Sequence, residues 1–146
     1  MPNHRLRLVS VAVAVIERRG RYLISRRRLG DHLGGCWEFP GGQRRVGESW
    51  QACLQREVRE ELGVEIRPGR RLAPIRFTYP HKAVYLQPFD CAIVTGRPQA
   101  LQVLDVKWVT PRQLSAFTFP PADRSLLDRL ARLHHRRPPA ILLSSS

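Results

Sequence analysis

Acidic residues are scarce in this chain, yet Glu48, Glu57, Glu60 and Glu61 gather in one stretch, residues 42–64, reading GQRRVGESWQACLQREVREELGV. Arg56 stands directly before Glu57, and Gly42 and Gly63 bracket the group. Leu54, Val58 and Leu62 recur every fourth residue, so residues 49–62 read as a helix. Ser49 suits the N-cap, Ala52 at the third helical position leaves no capping box, and Gly63 falls where a left-handed residue closes a helix. At roughly 100° per residue, Glu57, Glu60 and Glu61 fan over a sector of about 100° beside the apolar stripe. Like charges three and four apart repel on a helix. A hard divalent cation such as Mg²⁺ removes that cost, because it takes oxygen ligands from a few carboxylates and from substrate phosphates. A bare ExxEE is otherwise a solvated acidic face. The glycines and the arginine at fixed offsets argue against so plain a role.

Gly42-x5-Glu48-x7-Arg56-Glu57-Val58-x-Glu60-Glu61-x-Gly63-Val64 resembles the Nudix box, GX5EX7REUXEEXGU with U a bulky aliphatic, and every defined position is filled. The resemblance implies an α/β fold of the α+β kind, a mixed β-sheet sandwiched between α-helices. It implies an enzyme that hydrolyses a nucleoside diphosphate linked to another group, by attack of water on phosphorus, with Mg²⁺ (or Mn²⁺) as cofactor. By the same resemblance Glu57, Glu60 and Glu61 hold the metal with the backbone carbonyl of Gly41. Glu57 also serves as base or water-orienting group, and Arg56 holds the carboxylates in their rotamers. Glu48 either anchors its loop or supports a metal through water, while Gly42, Gly63 and Val64 are structural.

The segment just upstream, ISRRRLGDHLGGCWEFPGG, is similar to the MutT-type branch of that family at Arg27, His32, Glu38, Phe39, Gly41 and Gly42. That likeness assigns Arg27 to the phosphates, and Glu38 and Phe39 to the border of phosphates and base. Tyr79 and Lys82 occupy places where an aromatic and a basic residue face the nucleotide. The run FPPAD resembles a signature whose last residue, here Asp123, reads the base edge. A carboxylate accepts hydrogen bonds from guanine-type N–H donors or from the exocyclic amine of cytosine; a plain helix N-cap is the alternative role for Asp123. Two positions depart from the pattern: Gln43, commonly lysine, and Gln102, where relatives carry a glutamate as loop ligand or base. A neutral amide is no base. Asp105 is the candidate substitute, though its proximity to Trp108 suggests a different orientation, so any base is expected on the helix.

The implied activity is that of an 8-oxo-dGTP-type nucleoside triphosphate diphosphatase, yielding monophosphate and pyrophosphate, a nucleotide-sanitising task allied to DNA repair. A CTP-type or broad (deoxy)nucleotide pyrophosphohydrolase, an RNA 5′-end pyrophosphohydrolase and a non-catalytic nucleotide- or RNA-binding module are the alternatives.

Positioning these residues requires a framework. A chain of 146 residues suits a single domain, expected over residues 1–133, with 134–146 as a tail. Residues 8–16 are apolar on both alternating faces, as in a central strand, and 22–25 return as a hairpin partner after Arg18-Arg19-Gly20-Arg21. Arg67-Pro68-Gly69 reads as a turn, 71–78 and 84–94 as strands, 106–109 as a short strand, 111–114 as a helical turn. Leu126, Leu127, Leu130 and Leu133 mark an amphipathic helix over 124–133. Cys36, Cys53 and Cys91 have neither disulfide nor zinc spacing, and most suit burial. His134-His135 has no partner at ligand spacing. No run is long enough to span a bilayer and no signal peptide opens the chain, so the cytosol is expected. A net charge of +13 calls for acidic partners: nucleotide, nucleic acid or another polyphosphate. Because the arginines are spread in short clusters, nucleotide is favoured over nucleic acid.

Overall fold

The computed structural model describes residues 6–136. Its central strand, β1 (Arg7–Arg18), turns at Arg19 and Gly20, both with positive φ, into β2 (Arg21–Arg26). Positive φ at both central residues matches the right-handed twist of a hairpin. Two very short strands follow, β3 (Trp37–Glu38) and β4 (Gly41–Gln43), and then helix α1 (Trp50–Leu62). The chain continues through β5 (Glu65–Arg71), β6 (Ile75–Tyr79), β7 (Lys82–Thr95) and β8 (Asp105–Val109). Two 3₁₀ helices, Pro111–Ala116 and Pro121–Asp123, lead into α2 (Arg124–Arg136).

β1 runs parallel to β7 from Arg7↔Lys82 to Ile16↔Cys91, and antiparallel to β2 and β4. β7 carries β5 and β6 antiparallel; β2 carries β3 and β8. The sheet is therefore mixed, an α+β architecture. Its pleat decides which helix each residue meets. Ala12, Ala14 and Ile16 pack with Leu54, Val58 and Leu62 of α1, whereas Val13 and Val15 pack with Leu126 and Leu130 of α2. That double burial explains a strand apolar on both faces. Leu54 and Leu62 are fully buried, each contributing about 1.5–3 kcal/mol, which pins α1 with its acidic sector beside β4.

The expected turn at Arg67-Pro68-Gly69 is instead part of β5. Proline lacks a ladder N–H, but β5 is an edge strand with a register shift between Pro68 and Arg71, where that loss is tolerated. The next strand accordingly starts at Ile75, not at Arg71. Tyr79 pairs with Lys82, leaving Pro80-His81 as a two-residue turn. α2 runs to Arg136, three residues beyond the expected end at 133, and residues 137–146 of the expected tail lie outside those described. Cys53 and Cys91 are buried and Cys36 is half-buried. No helix among the described residues is long and apolar enough to cross a membrane.

The connection after β7 docks on the end of α1. Leu101 and Gln102 donate their amides to the carbonyl of Glu61, and Gln99 donates to that of Leu62. A helix leaves its last carbonyls unpaired, and this loop supplies the missing donors.

Candidate active site

Both ends of α1 are closed as its sequence suggests. Ser49 Oγ accepts from the Ala52 amide at 3.0 Å, and Gly63 (φ 71°) donates its amide to the Arg59 carbonyl. With the apolar stripe buried, Arg56, Glu57, Glu60 and Glu61 fall along the side near β4. Gly42 of β4 is required there: a Cβ on it would stand 2.4 Å from the Glu57 carboxyl.

Arg56 is the hub. Its Nε and Nη2 grip both oxygens of Glu48 at 2.7 and 2.9 Å, and its Nη1 donates to Glu57 Oε1 at 2.7 Å. The Glu60 carboxylate lies 3.6 Å from Nη1. Glu48 also accepts the Arg45 amide. The Arg56 hydrogen bonds, then that amide, hold the Glu48 carboxyl down at about 2. With both oxygens engaged, Glu48 anchors its loop.

Glu61 is the opposite case. It accepts the Gly41 amide, but its Oε2 is buried with no hydrogen-bond partner. Burial, then the neighbouring Glu38 and Glu57 carboxyls, push it up to about 9. Glu60 is more open, its side chain 43 % exposed. Among the described residues no three acidic, histidine or cysteine side chains converge as a finished ion site. The donor set nevertheless fits a hard divalent cation: all oxygens, one of them orphaned and buried against like charges.

Beyond Gly41 and Gly42 opens a cavity of about 240 Å³ between β1, β7 and the turn before α2. Arg27, His32, Glu38, Phe39, Tyr79, Lys82 and Asp123, the residues assigned to substrate, all line it. Arg27 is braced by the His32 carbonyl at 2.7 Å and by Glu38 Oε2 at 2.9 Å. Burial raises the Glu38 carboxyl, with Arg27 opposing. His32 meets Tyr79 edge-on at 6.0 Å; burial, Lys82 and Arg27 favour its neutral form. Phe39 is mainly core, packed on Phe119 and Tyr22. The Tyr79 hydroxyl accepts the Ala122 amide at 3.2 Å, tying the end of β6 to the turn that presents Asp123. Sequence reading missed that link, since no local pattern joins positions so far apart. Asp123 precedes α2, but no hydrogen bond to the helix's first amides is found among the described residues. The residue is 8 % exposed, and its carboxyl is pushed up to about 7, by burial first and then Glu38, with Arg27 opposing.

The two departures from pattern are also located. Gln43 lines the cavity, its carbonyl accepting from Arg56 at 3.3 Å. Gln102 contributes only its backbone amide to the end of α1, its side chain exposed. Asp105 caps the Val106 amide on β8 at 2.8 Å and takes no place in the cavity.

Known proteins resemble this chain in sequence and in fold. The sequence model of the NUDIX domain matches residues 11–129. Over 133 residues the chain is 31 % identical to the CTP pyrophosphohydrolase of Escherichia coli (strain K12), covering 91 % of this chain and 98 % of that one. It is 28 % identical over 130 residues to the 8-oxo-dGTP diphosphatase of Haemophilus influenzae, covering 88 % and 96 %. A crystal structure of a MutT protein from Methanosarcina mazei Go1 superposes with a TM-score of 0.79 at 25 % identity, covering 90 % of this chain and 98 % of that chain.

Proposed function

Because the chain belongs to the NUDIX domain family, we propose that it is a divalent-cation-dependent nucleoside triphosphate diphosphatase, releasing a monophosphate and pyrophosphate, with 8-oxo-dGTP or dGTP as substrate. One observation carries the reading: the carboxylates of α1 and the cavity lined by the residues assigned to substrate meet at Gly41-Gly42.

Polyphosphate repels nucleophiles, so charge neutralisation and alignment dominate the barrier. Arg27 and Lys82 face the polyphosphate from the cavity wall, and Tyr79 and Phe39 flank the base. Glu57, Glu60 and Glu61, with the Gly41 carbonyl, would hold the cation, which screens phosphate oxygens and acidifies bound water. Glu57 has one oxygen fixed by Arg56, and we assign the other to accept a proton from the attacking water. Arg56, clamped by Glu48, fixes that orientation as a positioning residue.

CTP is the second reading. The Escherichia coli relative named for CTP supports it, and Asp123 is compatible with it, since a carboxylate accepts from the exocyclic amine of cytosine as well as from guanine N–H groups. A panel of CTP, dCTP, dGTP, 8-oxo-dGTP and triphosphate-capped RNA, with Mg²⁺ or Mn²⁺, scored for pyrophosphate release, tests both. A kcat/KM highest for 8-oxo-dGTP supports the first reading; one highest for CTP replaces it. Nucleotide binding with no turnover in either metal overturns the enzyme.

A further inference from the structure

The two halves of the sheet face on the α1 side are not equally covered. α1 packs over Ala12, Ala14, Ile16, Phe89 and Cys91. The half built on β6, the start of β7 and the start of β1 extends past Trp50, the first residue of the helix. On that open half Arg76 of β6 and Tyr85 of β7 are cross-strand partners. Tyr85 stacks on Trp50, with centroids 5.9 Å apart and planes 28° from parallel. The Arg44 guanidinium lies 4.0 Å over the Trp50 ring, and the Arg76 guanidinium 5.6 Å over the Tyr85 ring. The Arg44 backbone is held by the hydrogen bond that its amide donates to the Ser10 carbonyl. The result is a row of four flat groups, arginine–tryptophan–tyrosine–arginine, with exposed cations at both ends.

Neither Arg44 nor Arg76 has an acidic partner within salt-bridge distance among the described residues. Arg76 also lines a shallow groove of about 470 Å³ shared with Arg124, Arg129 and Arg132, against the single acid Asp128. Cationic charge thus continues from the stack round the β6 edge to the α2 side, where Arg129 donates to the Ala73 and Pro74 carbonyls. The nucleotide cavity, lined by Val11, Val13, Val84 and Leu86, is on the other face.

We propose that this open face is a binding surface for single-stranded nucleic acid, separate from the nucleotide cavity. Unpaired bases present flat faces that stack on aromatic rings and guanidinium planes, while backbone phosphates take the flanking arginines. A duplex hides its base faces, and a lipid headgroup or acidic peptide engages the charges while gaining nothing from planar stacking. The combination of planes and cations selects the single strand.

The test is fluorescence anisotropy of the full chain with a labelled oligothymidylate ending in a 5′-hydroxyl, which offers the cavity no triphosphate and separates this surface from the proposed reaction. Three variants are compared: Arg44→Gln/Arg76→Gln, Tyr85→Leu, and Arg97→Gln/Arg112→Gln, which removes equal charge elsewhere. Tyr85→Leu is expected to weaken binding about tenfold. Arg44→Gln/Arg76→Gln is expected to flatten the plot of log affinity against log salt by about 1.4, two single-strand phosphate contacts. The Arg97/Arg112 control should change far less, and triphosphate hydrolysis should persist in all three. Should Tyr85→Leu melt early, Trp50→Phe, which keeps a ring, must retain binding while Arg44→Gln/Arg76→Gln loses it. Equal losses in the Arg97/Arg112 control, undiminished binding by folded Tyr85→Leu, or competition by duplex or by phosphatidylglycerol vesicles as strong as by single strand would each overturn the proposal.

Discussion

The acidic helix and the cavity beside it share a wall at Gly41-Gly42, yet they are assembled in opposite ways. The acids occupy one helix and the loop before it, and Arg56 binds Glu48 and Glu57 directly. The cavity draws Arg27, Glu38, Tyr79, Lys82 and Asp123 from distant parts of the chain, joined by contacts such as that from Ala122 to Tyr79. On the proposed function, chemistry rests on local spacing and recognition on long-range folding. Substitutions in the first region should therefore act on kcat, and those in the second on discrimination between bases.

The largest effect is expected from Glu57→Gln, which keeps shape and removes the proposed proton acceptor. Turnover should fall by about a thousandfold with KM little changed. Steady-state kinetics with a retained melting temperature checks it, and unchanged kcat would move the base elsewhere. Gly42→Ala comes next. The added Cβ meets the movable end of Glu57, not backbone, so folding should survive while kcat drops by about a hundredfold through misplacement. If kcat and melting temperature fell together, the two regions would not be separable as argued.

Asp123→Asn sharpens the comparison from the cavity side. An amide both donates and accepts, so the ratio of kcat/KM between guanine and cytosine nucleotides should change by about tenfold, with kcat for the better substrate nearly retained. The smallest effect concerns stability. Folding raises the Asp123 carboxyl to about 7, above the ordinary aspartate value near 4. The native state therefore binds the extra proton, and this contribution, complete below about pH 4, is lost as pH rises toward 7. Melting temperatures at pH 5 and pH 8 should differ less in Asp123→Asn than in the unaltered chain. A larger difference would place that carboxyl outside the cavity's buried wall.

Sequence was most informative where one physical rule governs a short segment. α1 with Ser49 and Gly63 at its ends, the twice-buried β1 and the stripe of α2 all follow from spacing and burial. Reading failed where tertiary position overrides local preference. Pro68-Gly69 suggests a turn, but an edge strand with a bulge accepts both. β3 and β4 are too short to show any period. For the site, resemblance supplied residues that the cavity then gathers, but spacing gave no sign that Glu38 braces Arg27 or that Glu61 keeps a buried oxygen without a partner. Those depend on which segments meet.

The loop after β7 hydrogen-bonds the carbonyls of Glu61 and Leu62 through main-chain amides. Those bonds do not depend on side-chain identity, so position 102 is freer to vary in sequence than the loop is in length, while the Leu101 side chain lies against Gly63. Replacing Gln102 leaves the peptide N–H in place, whereas deleting one residue would shift every donor by one and uncap the turn from which the acids project. Drift at that position, including the absence of a carboxylate there, is thus cheap for this fold, and indels are what selection should resist.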